Sequence, residues 1–293
     1  MSTLSSTFSG YPFNADAIPG RHTLHYRVLD AHRGNPLRDI EVLATPDEIQ
    51  ALLHDGYLVR PNIISPTQIE ELRAALHEVE TRENRNDIEQ GNQAFGGIFL
   101  RHLEDKHPAF LSLVDFAPAV SVARAVFGPC VTLRGLTARI CRPGDRHSEV
   151  EWHFHMRMAT EPLPPMWCRP QALDVLLYLD DITEDNGPMT VVPGSHQWLD
   201  ADLPTGLCDD MPEQRVLTVP AGSCVLAFGS LWHRALPTSG RKTRRLLISG
   251  YSPAWQKPSI YGRKPENGLA AQLLQDPDLP TAMRELLGVD GYH

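Results

Sequence analysis

Short apolar runs separated by turn residues fill the second half of the chain, and this pattern limits the possible folds more than any other feature. Proline, glycine, asparagine and aspartate separate six runs of strand length, at 131–141, 173–179, 189–192, 215–219, 223–228 and 245–251. Apolar and β-branched runs at this spacing are typical of a β-sandwich or barrel. No glycine-rich phosphate-binding motif follows any of them, so the sequence gives no support for nucleotide binding.

Helix signals precede these runs. Thr45-Pro46-Asp47-Glu48 combines an N-cap threonine, a proline at the first helical position and the glutamate of a capping box, and the predicted helix should end at Gly56. Ser65-Pro66-Thr67-Gln68 repeats the signal. Three further helices are predicted at 118–127, 270–274 and 282–287. Helices followed by strands predict a mainly β protein in which flanking helices back a sandwich or jelly roll.

The length of 293 residues and the apolar content of 42% are sufficient for one large core. We predict a single domain, 1–293. Within it we expect an irregular N-terminal arm at 1–44, helical support at 45–130, a β core at 131–252 and a C-terminal cover at 253–293. Two roles remain open for the last segment, which could cover the sheet or form the interface of a homodimer.

The charge argues against some classes of partner. A formal net charge of −9 disfavours a nucleic-acid or anionic-membrane surface, since either needs a dense basic patch. The N-terminus lacks the features of a signal peptide, and no uncharged apolar run of about 18 residues is present, so we expect a cytoplasmic protein. The five cysteines are scattered without a Cys-x-x-Cys pair, which predicts reduced thiols: Cys130, Cys141, Cys168, Cys208 and Cys224.

A possible metal site lies in Glu151-Trp152-His153-Phe154-His155-Met156. Two histidines at i and i+2 of a strand point to the same face, and a third on a neighbouring strand can complete a set of three. His233, in Trp232-His233, is the candidate third ligand. Three ligands on one side of a metal leave positions open for substrate and co-substrate, as a redox iron needs. With 13 histidines in the chain, this pattern alone has little specificity.

Several ordered motifs surround these histidines. Asp55-Gly56-Tyr57-Leu58-Val59 comes first, Asp185-Asn186-Gly187-Pro188 leads to Pro193-Gly194-Ser195-His196, and a glycine-led apolar run from Ala221 ends in Trp232-His233. Arg244 follows His233 by eleven residues. In these motifs the chain resembles the phytanoyl-CoA dioxygenase family of iron(II)/2-oxoglutarate oxygenases, from about residue 49 to about residue 251. We expect His196 to serve the backbone turn and not to bind metal.

The resemblance implies a double-stranded β-helix (jelly-roll, cupin-like) core, bound Fe(II), and 2-oxoglutarate and dioxygen as co-substrates that yield succinate and carbon dioxide. It implies hydroxylation, desaturation or epoxidation of an unactivated carbon of a small molecule. Tailoring of natural products is one setting for such a reaction. By position, His153 and His233 would be iron ligands and Arg244 would bind the C5 carboxylate of 2-oxoglutarate. A buried dicarboxylate needs a fixed cation at its far end, and strand alternation turns only one of Arg244 and Arg245 inward.

Position 155 departs from the family, which has His-x-Asp where this chain has His153-Phe154-His155. A third imidazole leaves the metal one unit more positive than an aspartate would. Four interpretations stay open: iron bound by three histidines, a carboxylate recruited nearby, another divalent metal or weak turnover, and a relative that binds ligand without catalysis. The carboxylates that could be recruited are Glu149, Glu151 and Asp174.

Two functions follow. The first is an oxygenase with an unusual three-histidine site made by His153, His155 and His233; the second is a ligand-binding protein that kept the barrel and lost turnover. A three-histidine dioxygenase that ignores 2-oxoglutarate is disfavoured, because an inward Arg244 would have no dicarboxylate to meet. The segment 156–169 is a candidate pocket-covering loop. The family often has a small polar residue where Ala235 stands, which removes one expected contact to 2-oxoglutarate.

Overall fold

The structure is a computed structural model and describes residues 10–29, 31–83, 97–145, 149–155, 172–198, 206–239, 241–256 and 267–289. Six helices lie in these ranges: α1 (Pro46–Asp55), α2 (Pro66–Arg82), α3 (Pro108–Ser112), α4 (Ala117–Phe127), α5 (Leu269–Leu273) and α6 (Thr281–Leu286). The strands are β1 (His22–Arg27), β2 (Leu37–Val42), β3 (Tyr57–Arg60), β4 (Ile98–Leu100), β5 (Val131–Cys141), β6 (Val150–His153), β7 (Leu173–Tyr178), β8 (Met189–Val191), β9 (Arg215–Leu217), β10 (Cys224–Phe228), β11 (His233–Ala235) and β12 (Arg244–Pro253).

Two antiparallel sheets form the core. The larger has the strand order β3-β10-β7-β12-β5-β4 and the smaller β6-β11-β8-β9. Apart from β4–β5 and β8–β9, neighbouring strands are not consecutive in the chain, as in a double-stranded β-helix, and a cavity lined by residues of both sheets lies between the sheets. The prediction of a mainly β, jelly-roll core with flanking helices is therefore confirmed.

Local sequence signals set the helix ends. The Thr45 side chain accepts a hydrogen bond from the Glu48 backbone amide, and the Glu48 carboxylate accepts one from the Thr45 amide at 2.9 Å. Gly56 ends α1 with a φ of 85°, a value that favours glycine. Ser65 and Gln68 form the same capping box at the start of α2. Both predicted helix starts are confirmed.

The N-terminal segment is more regular than predicted. β1 and β2 form an antiparallel hairpin in which His22 pairs with Val42 and Arg27 with Leu37, so the expectation of an irregular arm at 1–44 is wrong for residues 22–42. Both strands are short and partly exposed, and their weak apolar alternation was masked by charged residues. The hairpin is fastened to the C-terminal helix, because Arg38 makes two 2.6 Å hydrogen bonds to the buried carboxylate of Glu285.

The large sheet also draws strands from outside 131–252. β3 pairs with β10, and β4 pairs with β5, so two strands of the segment expected to be helical support are the edges of this sheet. The sequence predicts a short strand at Tyr57-Leu58-Val59, and β3 confirms it, whereas the three residues of β4 are too few to show a reliable alternation. The core therefore extends beyond the predicted bounds, while the division into 45–130, 131–252 and 253–293 otherwise stays a prediction.

One stretch, Pro108–Phe127, is long and apolar enough to cross a membrane by length and composition. It consists of α3, a short 3-10 turn and α4, and it carries the charged residues Asp115 and Arg124. Its most apolar window is 61% buried inside the protein. Phe110, Val120 and Val122 belong to the main hydrophobic cluster, which also contains Leu286 of α6. The stretch thus has the burial of a core element.

Candidate metal centre and cofactor pocket

Strand pairing brings the three predicted histidines together. His153 ends β6 and lies directly opposite His233 of β11. His155 follows two residues later, where its backbone amide donates to the carbonyl of Gly229 at 2.6 Å. The ring centroids are 4.3 Å apart for His153 and His233, 4.8 Å for His155 and His233, and 5.3 Å for His153 and His155. One ring nitrogen from each residue lies within 4.8 Å of the others.

Each imidazole uses its Nδ1 atom for a hydrogen bond outside the cluster. His153 Nδ1 is 2.8 Å from the Glu151 carbonyl oxygen, and His233 Nδ1 is 2.8 Å from the Leu231 carbonyl oxygen. His155 Nδ1 is 2.6 Å from Asp174 Oδ2. Carbonyl and carboxylate oxygens can only accept, so each Nδ1 carries a proton, and in the neutral form of each ring the lone pair is then on Nε2. Three Nε2 atoms in this state could bind one metal ion.

The Asp174 carboxylate lies outside the set of three histidines. It lies on β7, opposite Gly250 of β12 and Ala227 of β10, and is buried. Burial raises the pKa of its carboxyl, but the adjacent His155 and, more weakly, Arg134 at 4.0 Å lower it, and the net pKa is below the usual value. Asp174 is therefore ionised at neutral pH and partners a ligand-type imidazole without joining the three nitrogens.

Glu149 and Glu151, the other two candidate carboxylates, lie in different surroundings from Asp174. Glu151 has an exposed side chain, and its backbone carbonyl oxygen lies 2.8 Å from His153 Nδ1. Glu149 is directed to the Cys208 thiol and raises the pKa of that thiol, together with a larger effect of burial. Of the three carboxylates considered from sequence, Asp174 is the one that touches the histidine cluster.

His233 is held in the neutral form. Burial, and then the neighbouring rings of His153 and His155, lower its pKa well below that of an ordinary histidine. A neutral imidazole is the form that binds metal, since the protonated ring has no free lone pair.

The Pro193-Gly194-Ser195-His196 turn positions the strand that carries His233. Ser195 Oγ accepts a hydrogen bond from the Trp232 amide at 2.9 Å, and the Gly194 amide donates to Asp55 at the end of α1 at 2.9 Å. His196 Nε2 is 3.0 Å from the Leu53 carbonyl oxygen. The turn therefore supports the site through backbone contacts, and His196 lies outside the cluster of three.

A cavity of about 150 Å³ extends from the histidines between the two sheets. Arg244 lines it, is 2% exposed, and donates from Nη2 to Cys141 Sγ at 3.2 Å. Its Nε atom is buried without a hydrogen-bond partner. A Cβ atom at position 187 would overlap Arg244 Nη1, so Gly187 is required for this close approach. Arg245 turns the other way and pairs with Asp180 at 2.9 Å, as alternation predicts.

These residues fit a divalent metal and a dicarboxylate. Imidazole nitrogens suit iron, and a buried guanidinium with an unpartnered N–H suits a carboxylate. The apolar side chains Met189, Leu246 and Ile248 line the cavity and would exclude water from its interior.

Some lining residues were missed from sequence. Four of these residues are Arg139 of β5, Tyr178 of β7, Phe99 of β4, and Arg101, which follows β4. Arg139 is one of two arginines in a largely buried strand, and that signal could have identified it. The predicted pocket-covering segment 156–169 lies outside the described residues.

The chain matches the family model described as phytanoyl-CoA dioxygenase (PhyH) over residues 52–246, which is more than half of its length. It is 25% identical over 240 residues to L-proline trans-4-hydroxylase of Streptomyces griseoviridis, covering 72% of this chain and 87% of that protein. It is 31% identical over 161 residues to ectoine dioxygenase of Bordetella bronchiseptica, covering 52% of this chain and 49% of that protein. The second match thus spans about half of the relative's length.

The fold is similar to that of HygX from Streptomyces hygroscopicus, which was crystallised with nickel and 2-oxoglutarate bound. The TM-score is 0.61 at 18% identity, with 76% of this chain and 91% of that chain covered. The family match, the ordered motifs and the fold agree. This chain belongs to the phytanoyl-CoA dioxygenase (PhyH) family and is a non-haem oxygenase of the Fe(II)- and 2-oxoglutarate-dependent class.

Proposed function

We propose that this chain hydroxylates an unactivated carbon of a small molecule with iron held by the Nε2 atoms of His153, His155 and His233. The observation that carries the proposal is the hydrogen-bond pattern of the three imidazoles. Every Nδ1 has an acceptor outside the cluster, and one ring nitrogen of each residue lies within 4.8 Å of the others. That is the arrangement expected of histidines prepared for a shared metal.

The His155–Asp174 pair accounts for the departure from His-x-Asp. In the usual site an aspartate binds the metal and supplies one negative charge. Here His155 would be the ligand, and Asp174 supplies the charge from the far side of the ring, through a 2.6 Å hydrogen bond. A carboxylate on Nδ1–H fixes the tautomer and strengthens Nε2 as a donor. This favours a working three-histidine site over a recruited ligand or a silent relative.

Arg244 is proposed to bind the C5 carboxylate of 2-oxoglutarate. Its buried, unpartnered Nε and its place in the cavity support this assignment. When bound, iron and 2-oxoglutarate supply the dioxygen-dependent oxidation of a carbon–hydrogen bond and release succinate and carbon dioxide. The chain's own part is to orient the co-substrate and, with the apolar walls Leu246 and Ile248, to keep water away.

For the substrate, the names of the relatives suggest where to begin. L-proline and ectoine are the compounds for which two relatives are named, so both are first candidates, and hydroxylation is the reaction we propose. The acidic composition, with a net charge of −9, fits a cytoplasmic enzyme that acts on a free small molecule and not on nucleic acid or a membrane.

The function is tested by metal binding and turnover. Anaerobic titration of the wild type should show one Fe(II) per chain, and addition of 2-oxoglutarate with L-proline or ectoine in air should yield succinate. His153→Ala and His233→Ala should lose both properties, because each removes one of three donors, while the exposed His54→Ala should keep them. Binding of iron and 2-oxoglutarate without succinate across a wider substrate panel would favour the ligand-binding relative, and absence of iron binding would refute the proposal.

Asp174→Asn should lower the affinity for metal about 10- to 100-fold, the usual effect of losing a carboxylate behind a histidine ligand. Isothermal titration with Co(II) measures this. Glu151→Gln is the matched control, since the Glu151 side chain is exposed and should leave the affinity unchanged. A larger loss in Glu151→Gln than in Asp174→Asn would assign the recruited carboxylate to Glu151.

The stability of the metal-free protein should fall as pH decreases below the ordinary histidine value of about 6.5. The folded pKa of His233 is depressed, so between the two pKa values the unfolded chain binds more protons and unfolding is favoured. Urea denaturation in the presence of a chelator at several pH values measures the effect. His233→Gln should reduce the slope of unfolding free energy against pH, whereas His54→Gln should not; equal slopes in wild type and His233→Gln would contradict the assignment.

A further inference from the structure

A second group of side chains of the types that bind metals lies just after β4. It consists of His102, Glu104 and Asp105, and one ligand atom from each lies within 4.8 Å of the others. Glu104 and Asp105 belong to a 3-10 turn, Leu103–Asp105, that packs against β5, α3 and α5. The described residues that line the cavity do not include these three, so the group is a different one from the cluster of three histidines.

The Glu104 carboxyl group is fully buried and lacks a hydrogen bond. The residue is 0% exposed, and neither side-chain oxygen has a hydrogen-bond partner among the residues that the structure describes. An ionised carboxylate needs donors and a neutral one needs an acceptor for its O–H, so either form is left unsatisfied. Burying such a group is unfavourable unless a cation or a metal ion compensates it. Glu104 therefore requires a cationic partner.

His102 lies at a distance from this carboxylate that fits a shared metal. His102 Nδ1 is 3.7 Å from Glu104 Oε1, which is too long for a hydrogen bond. Two ligands that bind one tetrahedral zinc ion at about 2.1 Å are about 3.4 Å apart. A small movement of the imidazole would bring both atoms to that separation. The His102 side chain is 13% exposed, so an ion and its water reach the group from this side.

Asp105 supplies the third possible ligand and connects the group to the C-terminal region. Asp105 Oδ1 accepts a hydrogen bond from the Ala270 amide of α5 at 3.0 Å. A Cβ atom at position 268 would overlap the same carboxylate, so the backbone at Gly268 lies against Asp105. An ionised carboxylate has about four acceptor positions, and a bond to one amide leaves others for a metal. The carboxylate is thus held in place from the side of α5.

We propose that His102, Glu104 and Asp105 bind a divalent transition-metal ion of the zinc type, which fastens the end of β4 to α5. One imidazole nitrogen with two carboxylate oxygens suits zinc, whereas calcium and magnesium prefer oxygen ligands alone. The two carboxylates balance the charge of the ion, and water completes its coordination. The site supports the cavity from outside, since Phe99 of β4 lines it. The inference does not depend on the proposed function.

The test counts zinc ions per chain and needs no turnover. Full-length protein is equilibrated with Zn(II) at neutral pH, freed of excess metal by gel filtration and analysed for bound zinc. The wild type should bind two ions, one at the three histidines of the cavity and one at this group. The double variant His153→Ala with His233→Ala should keep one ion. Adding Glu104→Gln to the double variant should remove that ion, because glutamine keeps the size of the side chain and loses the charge.

His102→Asn in the same double variant is the second probe. The backbone φ of His102 is 54°, a left-handed conformation that asparagine tolerates, so the change removes the imidazole without adding strain. The zinc should again be lost, since an amide is a poorer zinc ligand than an imidazole. His107→Asn is the matched control. His107 Nδ1 accepts from the Ala109 amide at the start of α3, a capping role that asparagine also fills, and this variant should keep the zinc.

The outcomes separate this site from the proposed function. One zinc in the wild type and none in the double variant would overturn the group at His102 and leave the proposed function intact. Zinc that stays in the double variant after both Glu104→Gln and His102→Asn would be bound elsewhere and would also overturn it. A wild type whose one zinc survives in the double variant and is lost with Glu104→Gln would support this group and refute the three-histidine site.

Discussion

The hydrogen bond between His155 Nδ1 and Asp174 Oδ2, 2.6 Å long, is the contact on which the arrangement of this site depends. It joins the segment after β6, in the small sheet, to β7 in the middle of the large sheet. Without it His155 would present an imidazole of undefined tautomer, and a buried carboxylate would be left without its main partner. With this hydrogen bond, the ring is fixed, and the negative charge of Asp174 lies on the side of the imidazole that faces away from the proposed metal.

The rest of the fold serves to hold this pair and the two other histidines. Pairing of β6 with β11 sets His153 against His233, and the turn at Gly194 and Ser195 fastens the start of β11 to α1. At the co-substrate end, the backbone at Gly187 lies so close to the buried Arg244 that a Cβ atom at position 187 would overlap the guanidinium. Strand pairing together with the turns at Gly187 and Gly194 therefore fixes the metal site and the carboxylate site.

The sequence predicted the features that local chemistry controls. The capping boxes predicted the starts of α1 and α2. Strand alternation predicted that His153 and His155 share one side of the sheet and that Arg244 and Arg245 do not. The sequence did not predict the features that depend on contacts between residues far apart in the chain. Residues 22–42 pair as a hairpin despite weak alternation, and the role of Asp174 depends on a contact across 19 residues that no spacing rule predicts. Arg139 was missed, although a charged side chain in a largely buried strand was a usable signal.

The central claim is that His155 binds metal in the place of a carboxylate, with Asp174 behind it. The most direct measurement is the distance from the metal to His155 Nε2 in an anaerobic crystal structure with Fe(II) bound. We expect about 2.1 Å, the usual length of a metal–imidazole bond, with Asp174 still on Nδ1. A His155 ring beyond bonding distance, with a carboxylate oxygen of Asp174 or Glu151 bound to the iron instead, would contradict the account.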